Sequence, residues 1–521
     1  MNFKRIEAIG NVAAGEAWDI IIIGGGATGL GIAVDAASRG YKTLLLEQYD
    51  FAKGTSSKST KLVHGGVRYL ANGDVKLVFS ALKERGLIFK NAPHISFVQS
   101  FVIPSYSFFS KMKFLIGLKL YDWMAGKLRI GKSSLLSKAE VQASLPKIKT
   151  ERLQGGIRYY DGQFDDARLA INLAQTAAEQ GATVLNYCQV VSIDKDVQGQ
   201  VNGVQFIDSL SRESYQVKGK ALVNATGIFV DDILKMDTPS HKNLVRPSQG
   251  AHIVIDKHFL GDRDALMIPE TSDGRVLFGV PWHDKVLLGT TDTPLHAHQI
   301  EPRPLEEELD FILNTAKDYL QGAPTRADIK SIFAGLRPLA APTHADGDST
   351  KEISRDHKLI KSPSGLVTIT GGKWTTYRKM GEETVDLVAK HTDLPAKACQ
   401  TTSLRLHGYS VEKTAGHWQV YGADYPHIAQ LMEHDPRLAA KIHPDYDFRL
   451  AEVVWAVQNE MACRLEDFLA RRIRLLLLDA QASLQAAPLV AQVMAEQLGK
   501  DQAWIDNELR DYQALVSKYL I

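Results

Sequence analysis

The chain has 521 residues, enough for roughly two to four domains, and its 61 Lys+Arg against 60 Asp+Glu leave a formal charge of +1. That balance excludes the global positive field that recruits nucleic acid, so any basic surface must be local. Three cysteines, Cys188, Cys399 and Cys463, make neither a disulfide framework nor a metal-type cluster and suit a reducing compartment, and no metal site is expected. Residues 1–17 are mixed and rich in Gly and Ala, and read as a loosely held tail. They carry no signal-type apolar segment, and no apolar run approaches the roughly 18 residues that span a bilayer. The expectation is a cytoplasmic protein, soluble or monotopic.

Organisation begins at Ile20, Ile21, Ile22 and Ile23, a continuous β-branched run of the kind buried on both faces of a parallel sheet. It runs into Gly24, Gly26 and Gly29, with Thr28 in the same turn, and then into a helical pattern of Leu30, Ala33, Val34 and Ala37 that stops at Gly40. A second strand over 43–46 ends in Glu47. This is a glycine fingerprint in its strand-turn-helix context: Gly24 permits the turn, Gly26 lets a pyrophosphate approach, and Gly29 lets the helix pack close. The Glu47 carboxylate is placed to accept both ribose hydroxyls, which favours FAD or NAD over NADP and leaves those two open. The next stretch, 54–70, is dense in hydroxyls, glycine and cations and follows the ribose-binding strand directly. Thr55, Ser56, Ser57, Lys61, His64, Gly65 and Gly66 are therefore expected along the cofactor.

The glycine turn together with TSSKSTKLVHGGVRYL at 55–70 closely resembles the FAD-dependent glycerol-3-phosphate dehydrogenases of the aerobic, respiratory type. The resemblance runs from about 18 to 379, looser in the C-terminal helices, and the HGG-x-RYL block is far more specific than the fingerprint. It implies FAD, with non-covalent binding expected because the site offers no His or Cys tether beyond His64. It further implies glycerol 3-phosphate as substrate and a membrane quinone as electron acceptor. An oxidase passing electrons to oxygen is the alternative on the same scaffold.

Further along, Val75, Val78, Leu82 and Leu87 mark a helix within 74–95. Segment 105–133 mixes Lys111, Lys113, Lys119, Lys127, Arg129 and Lys132 with Phe108, Phe109, Phe114, Tyr121 and Trp123 against the single acid Asp122. It admits two readings, a core helix with a solvated basic face or a helix lying on an anionic membrane surface, and the resemblance favours the second. Asp165 and Asp166 suit a helix N-terminus, running to about 180. Segments 190–208 and 215–222 alternate like a β-meander and lead into Ala225, Thr226 and Gly227, a small-residue turn that recurs beside the cofactor in two-dinucleotide flavoproteins. Segments 246–255 and 275–292 read as antiparallel strands, 301–319 as a helix, and 366–378 as a strand running through Gly372, Lys373 and Thr375 into a helix. In the resembling family that last turn closes the flavin site. From about 393 the composition turns helical, with a three-and-four spacing over 452–484 open to packing, dimerisation into a homodimer or partner contact.

The fold class expected is α/β, α+β overall: a two-dinucleotide-binding-type FAD domain (parts about 18–85, 156–245 and 352–392), an inserted antiparallel-sheet substrate domain (about 86–155 and 246–351) and a C-terminal helical domain (393–521). Oxidising an alcohol carbon requires a hydride acceptor and a base, and a phosphate-bearing substrate requires fixed cations, for which the arginine fork is best suited. Arg68, Tyr69, His252, Arg337, Arg355 and Lys373 occupy positions resembling the family's substrate pocket. Of these, His252, Arg337 and Lys373 are the catalytic candidates. His252 is preferred over His64 as base, with arginine-assisted proton loss to solvent left open. The resemblance places the protein on the inner face of the cytoplasmic membrane as a peripheral enzyme.

Overall fold

Ile20, Ile21 and Ile22 are wholly buried, as a strand covered on both faces demands. They belong to Trp18–Ile23, the central strand of the first sheet in the computed structural model, which describes residues 3–67, 74–271, 274–340 and 357–521. Parallel partners flank it: Ser214–Asn224 then Val367–Thr370 on one side, Thr43–Leu46 then Thr183–Leu185 on the other. The expected meander is present, Cys188–Lys195 pairing antiparallel with Val201–Asp208, and that strand with Ser214–Asn224. The Ala27–Ser38, Asp166–Glu179 and Tyr377–His391 helices share one core with this sheet through Leu30, Ala33, Ile171, Leu173, Met380 and Val385. Asp165 caps the second of them, accepting from the Arg168 amide at 3.0 Å.

The second sheet is built around Val245–Asp256. It pairs antiparallel with Ile329–Ala340 on one side and with Lys285–Gly289 and Thr293–Pro294 on the other. The period of two decides what each face meets. Ala251, Ile253 and Ile255 pack with Leu309, Ile312 and Ala316 of the Glu306–Tyr319 helix. Val254, with Trp282, Leu287 and Phe333, packs into the C-terminal helices beside Phe468, Leu475 and Leu476. Each such side chain contributes about 1.5–3 kcal/mol on burial, so the C-terminal helices are a covering layer of the sheet.

Four local expectations are corrected. The first residues are not a loose tail: Arg5–Ala13 is a helix, Phe3 is buried near Phe51, and Arg5 donates to both Asp208 oxygens at 2.8 and 3.0 Å. Leu62–Val63 and Gly156–Phe164 pair in the second sheet, not with the nucleotide-binding strands. The alternation of Ile157, Tyr159 and Asp161, buried, with more exposed residues between suits an antiparallel layer, whereas the central parallel strand is apolar and buried from Ile20 through Ile23. The helix expected from 301 starts at Glu306. The long C-terminal periodicity is broken into Leu450–Asn459, a π-turn at Asp467–Arg472, Leu475–Leu478 and Ala480–Leu498. The break turns Arg471, Arg472 and Arg474 inward, where they ion-pair with Asp50 and Asp166 of the first layer.

Candidate functional site

A cavity of about 550 Å³ lies between the two sheets, within the range of small-molecule and cofactor sites. Its first wall is backbone. Gly24, Gly26 and Thr28 line it where Trp18–Ile23 turns into the Ala27–Ser38 helix. Gly24 holds φ +111°, and a Cβ there would stand 2.6 Å from the Ala225 carbonyl oxygen. Gly29 does not line the cavity; a Cβ on it would meet the Gly24 carbonyl oxygen, which is the close helix packing expected of the third glycine. Ser56 Oγ accepts from the Ala27 amide at 2.9 Å, and no side chain of the N-cap Gly26 closes the helix start. Such a start is a ready anion site. Glu47 lines the cavity and accepts from the Gly25 and Tyr49 amides at 2.6 and 2.8 Å, which fixes its carboxylate at the strand end. Ala225, Thr226 and Gly227 complete this side. Glycines without room for a Cβ, an uncapped helix start and a fixed carboxylate fit the pyrophosphate and ribose of FAD.

The 55–66 loop and the 372–375 turn are stitched together over this wall. Trp374 Nε1 donates to the Ser56 carbonyl at 2.8 Å, and the His64 amide donates to Thr375 Oγ1 at 3.2 Å. Thr55, Ser56, His64, Gly66, Gly372, Lys373 and Thr375 all line the cavity. Three residues expected along the cofactor do not. Ser57 is buried behind the wall, and Gly65 donates to Tyr121 Oη at 2.7 Å. Lys61, wholly buried, donates to Asp166 Oδ2 at 2.7 Å and to the Ser57 carbonyl at 2.8 Å. Its φ of +62° turns the side chain away from the cavity-facing run, and burial lowers its ammonium pKa to about 7 against the pull of Asp166.

The second wall is side chains on the second sheet. His252 stacks on Phe333, ring centroids 4.9 Å apart, and its Nε2 shares a 2.9 Å hydrogen bond with Thr60 Oγ1. Burial first, then the charges of Lys61 and Arg337, hold its pKa well below the usual 6.5, so it stands neutral at neutral pH. Arg337, on the adjacent strand, donates to Asp292 Oδ1 at 3.2 Å, and to Thr290 Oγ1 and the Thr291 carbonyl, both at 3.1 Å. A Cβ on Gly250 would come within 2.5 Å of Arg337 Nη2, so that glycine makes room for the guanidinium. The structure therefore brings His252, Arg337 and Lys373 to one cavity. Arg68, Tyr69 and Arg355 lie outside the described residues.

Several residues at or behind the cavity escaped the sequence reading. Asp292 and Thr290 sit at the end of GTTD, where a hydroxyl-rich strand end with an acid was the available signal. Thr60 lay within the loop already singled out. Phe101, Met267, Val276 and Phe278 give the cavity an apolar arm, and the same apolar cluster includes Phe114 and Leu115 of the Phe108–Met124 helix. On that helix Phe108, Phe109, Ile116 and Trp123 are exposed by 60, 86, 66 and 74%. Val75 and Phe79 are exposed by 51 and 58% on the Val75–Asn91 helix, which packs against it through Val78, Leu82, Tyr121 and Met124.

The model of the FAD dependent oxidoreductase family matches residues 19–387, and that of the C-terminal domain of alpha-glycerophosphate oxidase matches 367–505. A probable mitochondrial glycerol-3-phosphate dehydrogenase of Dictyostelium discoideum is 40% identical over 533 aligned positions, covering 95% of this chain and 83% of that protein. A glycerol-3-phosphate dehydrogenase from Bacillus halodurans, solved with FAD, superposes with a TM-score of 0.80 at 30% identity, covering 99% of this chain and 97% of the other. An L-alpha-glycerophosphate oxidase from Mycoplasma pneumoniae, at 16% identity and a TM-score of 0.56 over 77% of this chain and all of its own, shares the fold.

Proposed function

From the premise that this chain belongs to the FAD-dependent oxidoreductases, among the glycerol-3-phosphate dehydrogenases, we propose that it oxidises sn-glycerol 3-phosphate to dihydroxyacetone phosphate and passes the electrons to a membrane quinone. The observation that carries the reading is the meeting of a neutral His252 with the anchored Arg337 on the cavity wall opposite the glycine turns. FAD, when bound, supplies the hydride acceptor for the substrate C2 hydrogen. His252 takes the C2 hydroxyl proton, its lowered pKa leaving the lone pair available from neutral pH downwards. Arg337, fixed by Asp292 and Thr290, holds a phosphate or hydroxyl oxygen of the substrate, and Lys373 stands at the same cavity over the glycine turn. Arg68, Tyr69 and Arg355 enter this reading on their motif positions alone.

The quinone is supported by the apolar arm of Phe101, Met267, Val276 and Phe278 and its continuity with the Phe108–Met124 helix. No described helix is long and apolar enough to cross a membrane. The exposed aromatics and the cations Lys111, Lys113 and Lys119 instead suit peripheral binding to an anionic inner face. Replacing the three lysines with Glu is expected to release the protein from anionic vesicles at low salt, and unchanged co-sedimentation contradicts the membrane assignment. The oxidase is tested by the acceptor: turnover with glycerol 3-phosphate is expected to be faster with a soluble quinone analogue than with air, whereas stoichiometric peroxide in air at the quinone rate identifies an oxidase.

A further inference from the structure

The C-terminal helices reach the back of the oxidation site through one side chain. Arg474, 1% exposed and left-handed at φ +68°, donates from Nη2 to the Ser57 carbonyl at 2.8 Å and to Asp166 Oδ1 at 2.9 Å. The other oxygen of Asp166 accepts from Lys61 Nζ and Ser59 Oγ, both at 2.7 Å, and from the Ser59 amide at 3.2 Å. Lys61 returns a bond to the same Ser57 carbonyl at 2.8 Å. Residues 57, 59 and 61 are thus pinned to one carboxylate and one guanidinium. Thr60, between two pinned neighbours, has its hydroxyl presented to the cavity and to His252 Nε2 at 2.9 Å.

Burying these charges stabilises a fold little compared with apolar residues of the same volume, so a positional role is the physical reason to look for. The groups facing Lys61 are Asp166, Asp165 and Arg474, and those facing His252 are Lys61 and Arg337. The aromatic floor is shared: Lys61 Nζ lies 5.2 Å from the Phe333 ring on which His252 stacks, and Lys61 and Arg474 lie 5.3 and 5.6 Å from the Trp282 ring.

The geometry points to Arg474 as a positioning residue of the oxidation site: through Asp166 and the Ser57–Lys61 loop it sets Thr60, whose hydroxyl, bonded to His252 Nε2, fixes the orientation and tautomer of the imidazole. His252 Nδ1 is buried and has no hydrogen-bond partner among the described residues, so the bond to Thr60 is what holds the tautomer of the ring. The inference rests on the reading of His252 as base. It also gives the C-terminal domain a part in the reaction, since the anchoring residue stands 308 positions from its carboxylate.

The test uses the FAD-loaded full chain with Arg474→Met, Arg474→Lys and Thr60→Val. Anaerobic stopped-flow reduction at saturating glycerol 3-phosphate is expected to slow about tenfold or more in Arg474→Met and Thr60→Val, with substrate Kd within about threefold and FAD retained, and to recover in part in Arg474→Lys. Histidine-selective ¹⁵N NMR of the same holoproteins, with His252→Gln to assign the signal, is expected to give a single tautomer in the parent and a mixture in the two slow variants. A native reduction rate and tautomer in Thr60→Val, or in Arg474→Met, overturns the inference. Should Arg474→Met fail to fold, Arg474→Lys decides, because it reaches only one of the two acceptors: intermediate values support the inference and native values contradict it. A parent holoprotein that glycerol 3-phosphate does not reduce contradicts the substrate reading instead, while the tautomer, read without substrate, still decides the positioning role.

Discussion

The two walls of the cavity recognise by different means. The first offers backbone: an uncapped helix start, glycine turns and one carboxylate held by two amides. Its determinants lie within some thirty consecutive residues, and any dinucleotide with a pyrophosphate satisfies most of them. The second offers side chains, His252 and Arg337, each aimed by groups from other segments: Thr60 for the imidazole, Asp292 and Thr290 for the guanidinium. On the proposed reading, the first wall binds a class of cofactor and the second selects a substrate. A change on one wall is expected to leave the other's ligand in place.

The largest expected effect falls on the second wall. Arg337→Ala should cost on the order of 2–5 kcal/mol in kcat/KM, as removal of one partner of a desolvated charge pair does, with FAD still bound. Steady-state kinetics on FAD-replete protein checks it, and loss of FAD with native kinetics in the loaded fraction would merge the two walls into one. Glu47→Ala is the reciprocal change. It removes a charged acceptor of two amides and should weaken FAD by about 1.5–3 kcal/mol, read by flavin release on dilution, with substrate affinity unchanged in what remains loaded. The smallest effect is one of pH on the frame around both walls. Against burial, the Asp424 and Glu179 carboxylates raise the His407 pKa to about 9, joining the Asp166–Glu179 helix to the C-terminal region. Because the folded pKa exceeds the unfolded one near 6.5, this contribution is fully present below about pH 6.5 and is lost as pH rises through about 9. Denaturant unfolding should show the loss, about 2 kcal/mol after allowing for the exposure of Glu179, and His407→Gln should flatten that part of the profile.

The same division explains what the amino-acid sequence disclosed. Gly24, Gly26, Gly29 and Glu47 act through local backbone geometry, so spacing alone located them, as it located the Asp165 cap. Arg337, His252 and Lys373 were reached through family resemblance, and the fold brings them to one cavity. Lys61 was misplaced because a left-handed residue inside a hydroxyl-rich loop points against its neighbours, which composition does not register. Arg474 had no signal at all: its partners are Ser57 and Asp166, and only the packed structure brings residues so distant onto one carboxylate. The break at 460–474 was hidden for a related reason, since the partners of its three arginines, Asp50 and Asp166, lie in distant segments of the chain.

The most direct test of the account is an anaerobic spectral titration of the yellow holoprotein with sn-glycerol 3-phosphate. The account predicts stoichiometric bleaching of the flavin band, reversed by a quinone analogue faster than by air. A flavin that stays oxidised through the titration, while another alcohol or an amino acid bleaches it, would contradict the assignment of the second wall to a phosphate-bearing substrate.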